Sequence, residues 1–144
     1  MAFGNPYDEA WNPEIAMKWT AKLCSMGVKI VALSDTIGAS TPENISQLFS
    51  HLIPEFNGVE FGAHLHSRKE TSKEKIKAAY EAGCKRFDSA IRGFGGCPMA
   101  KDDLTGNIAT EDLIEFFNSI KETHNVNEER FEFSMKDALN VFPH

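Results

Sequence analysis

Apolar residues recur along this chain in two alternating rhythms, one at helical spacing and one as short unbroken runs, and each change of rhythm predicts a change of element. Ala2 and Phe3 read as the stub of a strand. Asn12 offers a cap and Pro13 a first helical position, and Ile15, Trp19, Leu23 and Met26 follow at helical spacing until Gly27 stops the helix. Residues 28–33, VKIVAL, read as a buried strand that delivers Asp35 and Thr36 to a loop. Thr41-Pro42 repeats the cap-then-proline start, with Ile45, Leu48, Phe49, Leu52 and Ile53 on one helical face. Beyond 54–58 a strand is expected over 59–66, then a loop over 67–72 and a helix carrying Ile76, Ala79, Tyr80 and Ala82 up to Gly83. Residues 84–91 read as the next strand and 92–109 as a long loop. Thr110 is placed to cap a further helix, with Glu111 and Asp112 in its first turn and Leu113, Phe116, Phe117 and Ile120 facing inward. The tail from Asn125 is polar and then weakly helical around Met135 to Val141.

Strand and helix alternate three times, which predicts an α/β protein with parallel strands joined by right-handed crossovers. The organisation is a stub and helix over 1–27, three strand-helix units over 28–122, and a C-terminal tail over 123–144. A glycine precedes or opens each strand, and the chemically capable polar groups fall at the C-terminal ends of strands, where such sheets place their sites. An open sheet and a piece of a (β/α)8 barrel both satisfy the pattern. A full barrel takes about 250 residues, or about 31 per unit, so the chain holds four units and a tail at most.

With 144 residues, 42% hydrophobic and 25% charged, the chain has the makings of one globular domain with a sizeable core. Its formal net charge of −6 argues against a nucleic-acid partner and against docking on an anionic membrane. No apolar run approaches membrane-spanning length, and no signal peptide is recognisable at the start. Cys24, Cys84 and Cys97 are scattered without CxxC spacing, so a disulfide framework or zinc ribbon is not expected, and a reducing cytoplasm is the expected location.

The candidate chemistry begins with VEFGAHLHS, Val59 to Ser67. Residues i and i+2 of a strand share a face, so His64 and His66 project side by side, a spacing that suits a divalent metal and equally suits an exposed strand edge. Gly62 and Ala63 are expected to leave room beside the pair. Asn107 in TGN is either an ordinary loop residue or a neutral oxygen ligand suited to Mg or Mn beside imidazoles. Cys97, in the glycine-rich GFGGCPMA, reads as an exposed acid, base or nucleophile rather than a buried thiol. Asp35 is placed to meet substrate or orient a partner, or to form a turn with the residues after it. Glu111 reads first as a helix N-terminal charge, Cys24 and Cys84 as core or near-core residues, and the aromatic residues on the helices as core.

SDTIG, HLH, GFGGCPMA and TGNIATEDL, in this order and at these separations, resemble the 3-hydroxy-3-methylglutaryl-CoA lyases of the DRE-TIM metallolyase superfamily. The similarity runs from AFGNPY to at least Phe117, and the GGCP loop is its most specific part. The resemblance implies a partial (β/α)8 barrel, the C-terminal half, beginning at the end of strand five and supplying strands six to eight. It implies His64, His66 and Asn107 as metal ligands, Mg or Mn as the cofactor, and Cys97, His64, Asp35 and Glu111 as catalytic residues. Asp35, Thr36, Gly95 and Gly96 would contact an acyl-CoA substrate. A further aspartate ligand and a catalytic arginine, which the family carries on its first strand, have no counterpart in this sequence.

The implied reaction cleaves a carbon-carbon bond of a 3-hydroxy-acyl-CoA to give acetyl-CoA and acetoacetate, with His64 as base, Cys97 as proton donor and the glycine loop closing over the site. With partners missing, weak or no activity is expected of this chain alone, and its raw barrel edges favour self-association into a homo-oligomer. Two other readings stay open: a related Claisen- or aldol-type metalloenzyme on another acyl-CoA or 2-oxo acid, and a non-catalytic barrel fragment that binds metal or self-assembles.

Overall fold

A computed structural model of the chain describes residues 1–96 and 105–142. In chain order the elements are α1 (Pro13–Ser25), β1 (Ile30–Ser34), α2 (Pro42–Glu55), β2 (Glu60–His64), β3 (His66–Ser67), α3 (Lys69–Glu81), β4 (Arg86–Phe87), a 3₁₀ turn (Ile91–Gly93), β5 (Gly106–Asn107), α4 (Thr110–Ser119) and α5 (Glu128–Val141). The helix starts follow from their caps. The Asn12 side chain accepts the Ile15 N–H at 2.9 Å, and Thr41 and Asn44 form a reciprocal capping box.

The main sheet has the order β1-β2-β4, all parallel, with Ile30 opposite Glu60, Ser34 opposite His64 and Gly62 opposite Arg86. Parallel neighbours require crossovers, and α2 and α3 supply them while packing on each other. Val31, Leu33, Phe61, Ala63 and Leu65 point to the helical side and meet Ile45, Leu48, Phe49, Leu52 and Ile76, all fully buried. Each such side chain contributes about 1.5–3 kcal/mol through removal from water. Gly27, Gly58 and Gly83, all at positive φ, turn the chain from helix end to strand start, which is why a glycine recurs there.

The structure departs from the sequence reading at several points. The strand expected over 59–66 breaks at Leu65, and the helix expected after 67–72 already begins at Lys69. The strand expected over 84–91 shortens to Arg86–Phe87, followed by a single parallel bridge between Ala90 and Ala109. Inside the expected loop over 92–109 lie the 3₁₀ turn and β5, which pairs antiparallel with β3. Thr110 does not cap α4. The cap position is Ala109, and the Thr110 hydroxyl instead hydrogen-bonds Ser89 Oγ at 2.9 Å. The tail is more ordered than its composition suggests, because Asn127 caps a 14-residue α5.

Trp19, Leu23 and Met26 are exposed, at 54%, 41% and 73%, and Thr20 is the buried residue of α1. Helical spacing identified a common stripe, but among the described residues no segment packs over these three side chains. Ala2 donates its N–H to the Ser34 carbonyl at 2.8 Å and Phe3 is buried, so the N-terminal residues lie at the end of β1, but through this one contact rather than as the strand stub expected of them. No helix among the described residues is long and apolar enough to cross a membrane.

Candidate functional site

Strand alternation sends Phe61, Ala63 and Leu65 to the helices and leaves His64 and His66 on the opposite face at the C-terminal end of the sheet. Their ring centroids lie 5.4 Å apart, nearly edge to face. The expected room beside them is not where the sequence placed it: Ala63 faces the core, and the space over Gly62 is taken by the Arg86 side chain, whose Cδ would lie 3.1 Å from an added Cβ.

The two imidazoles are held differently. His64 Nδ1 lies 3.2 Å from Asp88 Oδ2, with both side chains substantially exposed. His66 is buried and its Nδ1 donates to the main-chain oxygen of Asp35 at 2.8 Å. A carbonyl only accepts, so that contact assigns the Nδ1–H tautomer and leaves the lone pair on Nε2. With Nδ1 of each ring engaged, both present Nε2.

Asn107 stands directly opposite His66 across the β3–β5 ladder. Its side-chain nitrogen donates to the carbonyls of Phe94 and Gly95 at 2.9 and 3.1 Å, and its main-chain N–H donates to Gly95 at 3.1 Å. Both amide hydrogens being spent on those carbonyls, Oδ1 is the atom that suits a cation. Close packing explains the glycines here: a Cβ on Gly106 would stand 2.6 Å from the Gly93 oxygen, and one on Gly93 2.8 Å from the Asn107 oxygen. Gly95 holds Asn107 through its main-chain oxygen, and Gly96 lies against Thr105, where a Cβ would meet the carbonyl at 2.8 Å.

The carboxylate of Asp35 is 1% exposed and is turned into a buried cluster. It accepts from the Ser40 N–H at 3.2 Å, from the Ser40 hydroxyl, and from Lys75 Nζ at 3.1 Å. Asp35 thus meets His66 through its main chain and Lys75 through its side chain. Removing one member of such a buried pair costs about 3–5 kcal/mol. Thr36 lies nearby, its hydroxyl 3.3 Å from that of Ser34. Glu111, in the first turn of α4, accepts the Arg92 N–H at 3.0 Å and helps hold that residue at φ 57. Cys97 lies outside the described residues.

A cavity of about 660 Å³ opens between the first turns of α3 and α4, lined by Ser67, Lys69, Ser72, Arg92, Asn107 and Glu111 among others. Ser72 Oγ, buried at its wall, has no hydrogen-bond partner among the described residues. Among those residues no cluster of three or more His, Cys, Asp and Glu side chains could hold a metal, so any site built on the two histidines needs Asn107 or a ligand from outside them.

Sequence reasoning missed Asp88 and Lys75. Asp88 follows β4 directly and belongs to the same set of polar residues at strand ends as Asp35. Lys75 was legible as a lysine in the row Ser72, Lys75, Ile76, Ala79, which is otherwise a buried stripe.

A family model for HMGL-like proteins matches residues 1–134. The (R)-citramalyl-CoA lyase of Chloroflexus aurantiacus is 34% identical over 119 residues, covering 83% of this chain and 37% of that protein. The cytoplasmic 3-hydroxy-3-methylglutaryl-CoA lyase of Homo sapiens is likewise 34% identical over 119 residues, covering 83% of this chain and 32% of that protein. An HMG-CoA lyase of Acinetobacter baumannii, solved with coenzyme A and 3-methylmalate, superimposes with a TM-score of 0.88 at 26% identity, covering 99% of this chain and 47% of that one. The chain therefore spans about a third of the length of these curated relatives and about half of the solved barrel. Its parallel sheet is part of a (β/α)8 barrel, and with the paired histidines, the asparagine opposite them and a family match over nearly its whole length, the chain belongs to the HMGL-like family.

Proposed function

We propose that this chain carries the metal-binding and substrate-facing half of a lyase that cleaves a 3-hydroxy-acyl-CoA to acetyl-CoA and acetoacetate. The observation that supports the reading is the placement of His64 and His66, rings 5.4 Å apart, at the C-terminal end of a parallel sheet with Asn107 paired opposite His66. Two imidazoles and an amide oxygen suit Mg or Mn, and Asp88 and the Asp35 carbonyl are the outer partners that orient such ligands. A bound divalent ion would supply Lewis acidity that eases loss of the substrate's hydroxyl proton.

In the proposed reaction the hydroxyl oxygen gives up its proton, its electrons form the new ketone, and the carbon-carbon pair leaves on the acetyl-CoA side as an enolate that is then protonated. His66 and Asn107, fixed by main-chain partners, hold and orient. His64 has one free nitrogen, and one nitrogen cannot bind a cation and accept a proton together. Mn titration of His64→Ala separates these roles: lost affinity makes it a ligand, whereas retained affinity leaves its free nitrogen for the role of base. Cys97 is the proposed proton donor to the enolate, and Thr36, Gly95 and Gly96 the proposed substrate contacts; Asp35, expected to meet substrate, has its carboxylate buried on Ser40 and Lys75 and is proposed instead to act through its main-chain oxygen on His66. The acyl-CoA specificity of relatives in the family supports this substrate class over a 2-oxo acid.

Alone, the chain is expected to be weakly active or inactive, and to self-associate. Isothermal titration with Mn tests the reading: binding by the intact chain that disappears in His64→Ala/His66→Ala supports it, and no binding rejects it. A coupled assay for acetyl-CoA release tests the inactivity, which turnover abolished by Cys97→Ala would overturn.

A further inference from the structure

Lys75 lies on α3 among residues that are buried, where an ammonium is retained only if every donor is satisfied. Its three donors meet three acceptors: the His66 carbonyl at 2.7 Å, Asp35 Oδ2 at 3.1 Å and the Gly38 carbonyl at 3.3 Å. Asp35 and Gly38 belong to the turn after β1, and His66 belongs to β3. The Asp35 main-chain oxygen in turn receives the proton of His66 Nδ1.

We propose that Lys75 is a positioning residue for the histidine site, binding the turn that carries the acceptor of His66 Nδ1 to the strand that carries His66. By clamping both sides of that hydrogen bond it keeps the imidazole in the Nδ1–H form with Nε2 facing the site. The proposal rests on the reading of His66 as a metal ligand and adds the residue that sets its tautomer. Lys75 reaches both strand ends with donors for each. The acceptors are main-chain oxygens and one carboxylate, so neither a shorter nor a neutral side chain reproduces the three bonds.

Nitrogen-resolved NMR of the imidazoles in the metal-free protein, with Mn titration alongside, decides the matter. Wild type should show one Nδ1–H tautomer for His66. Lys75→Met should show mixed tautomers and bind Mn at least about 10-fold more weakly. Because Lys75→Met leaves Asp35 buried without a counter-charge, Lys75→Met/Asp35→Asn is measured as a second variant, with the fold checked by circular dichroism. Ser72→Ala, from the same buried row, should leave the His66 signature unchanged. An unaltered His66 tautomer and Mn affinity in either folded Lys75 variant overturns the proposal, and so does loss of the fold in both, which would make Lys75 a residue of general stability. If wild type binds no Mn, the metal reading fails while the tautomer comparison still judges Lys75.

Discussion

His66 and Asn107 face each other across the two-residue ladder formed by β3 and β5, so the two proposed ligands, one on a strand end and one from a distant loop, are set in register by main-chain pairing. Asn107→Ala should weaken Mn binding by about 10-fold or more, as loss of a ligand and of its orientation. Asn107→Asp should also weaken it, because a carboxylate would be pressed against the Phe94 and Gly95 carbonyls that now accept from the amide nitrogen. Paramagnetic titration of Mn reads both, and affinity unchanged in either variant would remove Asn107 from the site.

Asp88 is expected to matter for function and little for stability. Its pair with His64 is exposed at 45% and 39%, so Asp88→Asn should change the unfolding free energy by less than about 1 kcal/mol. As the partner that orients the ring, the same change should lower Mn affinity by about 10–100-fold. Urea denaturation and Mn titration on one preparation separate the two effects.

Burial pushes the Cys84 thiol up to about 11, from an ordinary value of 9.0. The unfolded chain therefore loses this proton first as pH rises, and stability should fall between about pH 9 and pH 11, by on the order of 2 kcal/mol. The part due to Cys84 is the difference in slope from Cys84→Ala in urea titrations across that window. Alkylation mapped by mass spectrometry should spare Cys84 at pH 8 in the folded protein and reach it in urea.

The exposed row Trp19, Leu23 and Met26 with Ile30 of β1, itself an edge strand, should drive self-association of the isolated chain. Sedimentation velocity should show species larger than monomer that shift toward monomer in Trp19→Glu. A compact monomer at all concentrations would reject this.

The order of elements, the buried stripe of α2 and the shared face of His64 and His66 were legible in the sequence, because they depend on periods of 3.6 and 2 and on local caps. Family motifs likewise made Asn107 a candidate. What pairing across the chain decided was different in kind. That β3 breaks from β2 at Leu65, that Asn107 faces His66, and that Asp35 turns its carboxylate to Lys75 are contacts between residues far apart in sequence, for which local patterns carry no signal. The exposure of Trp19 shows the same limit from the other side: helical spacing says which residues share a face, and only the tertiary structure says whether anything covers it.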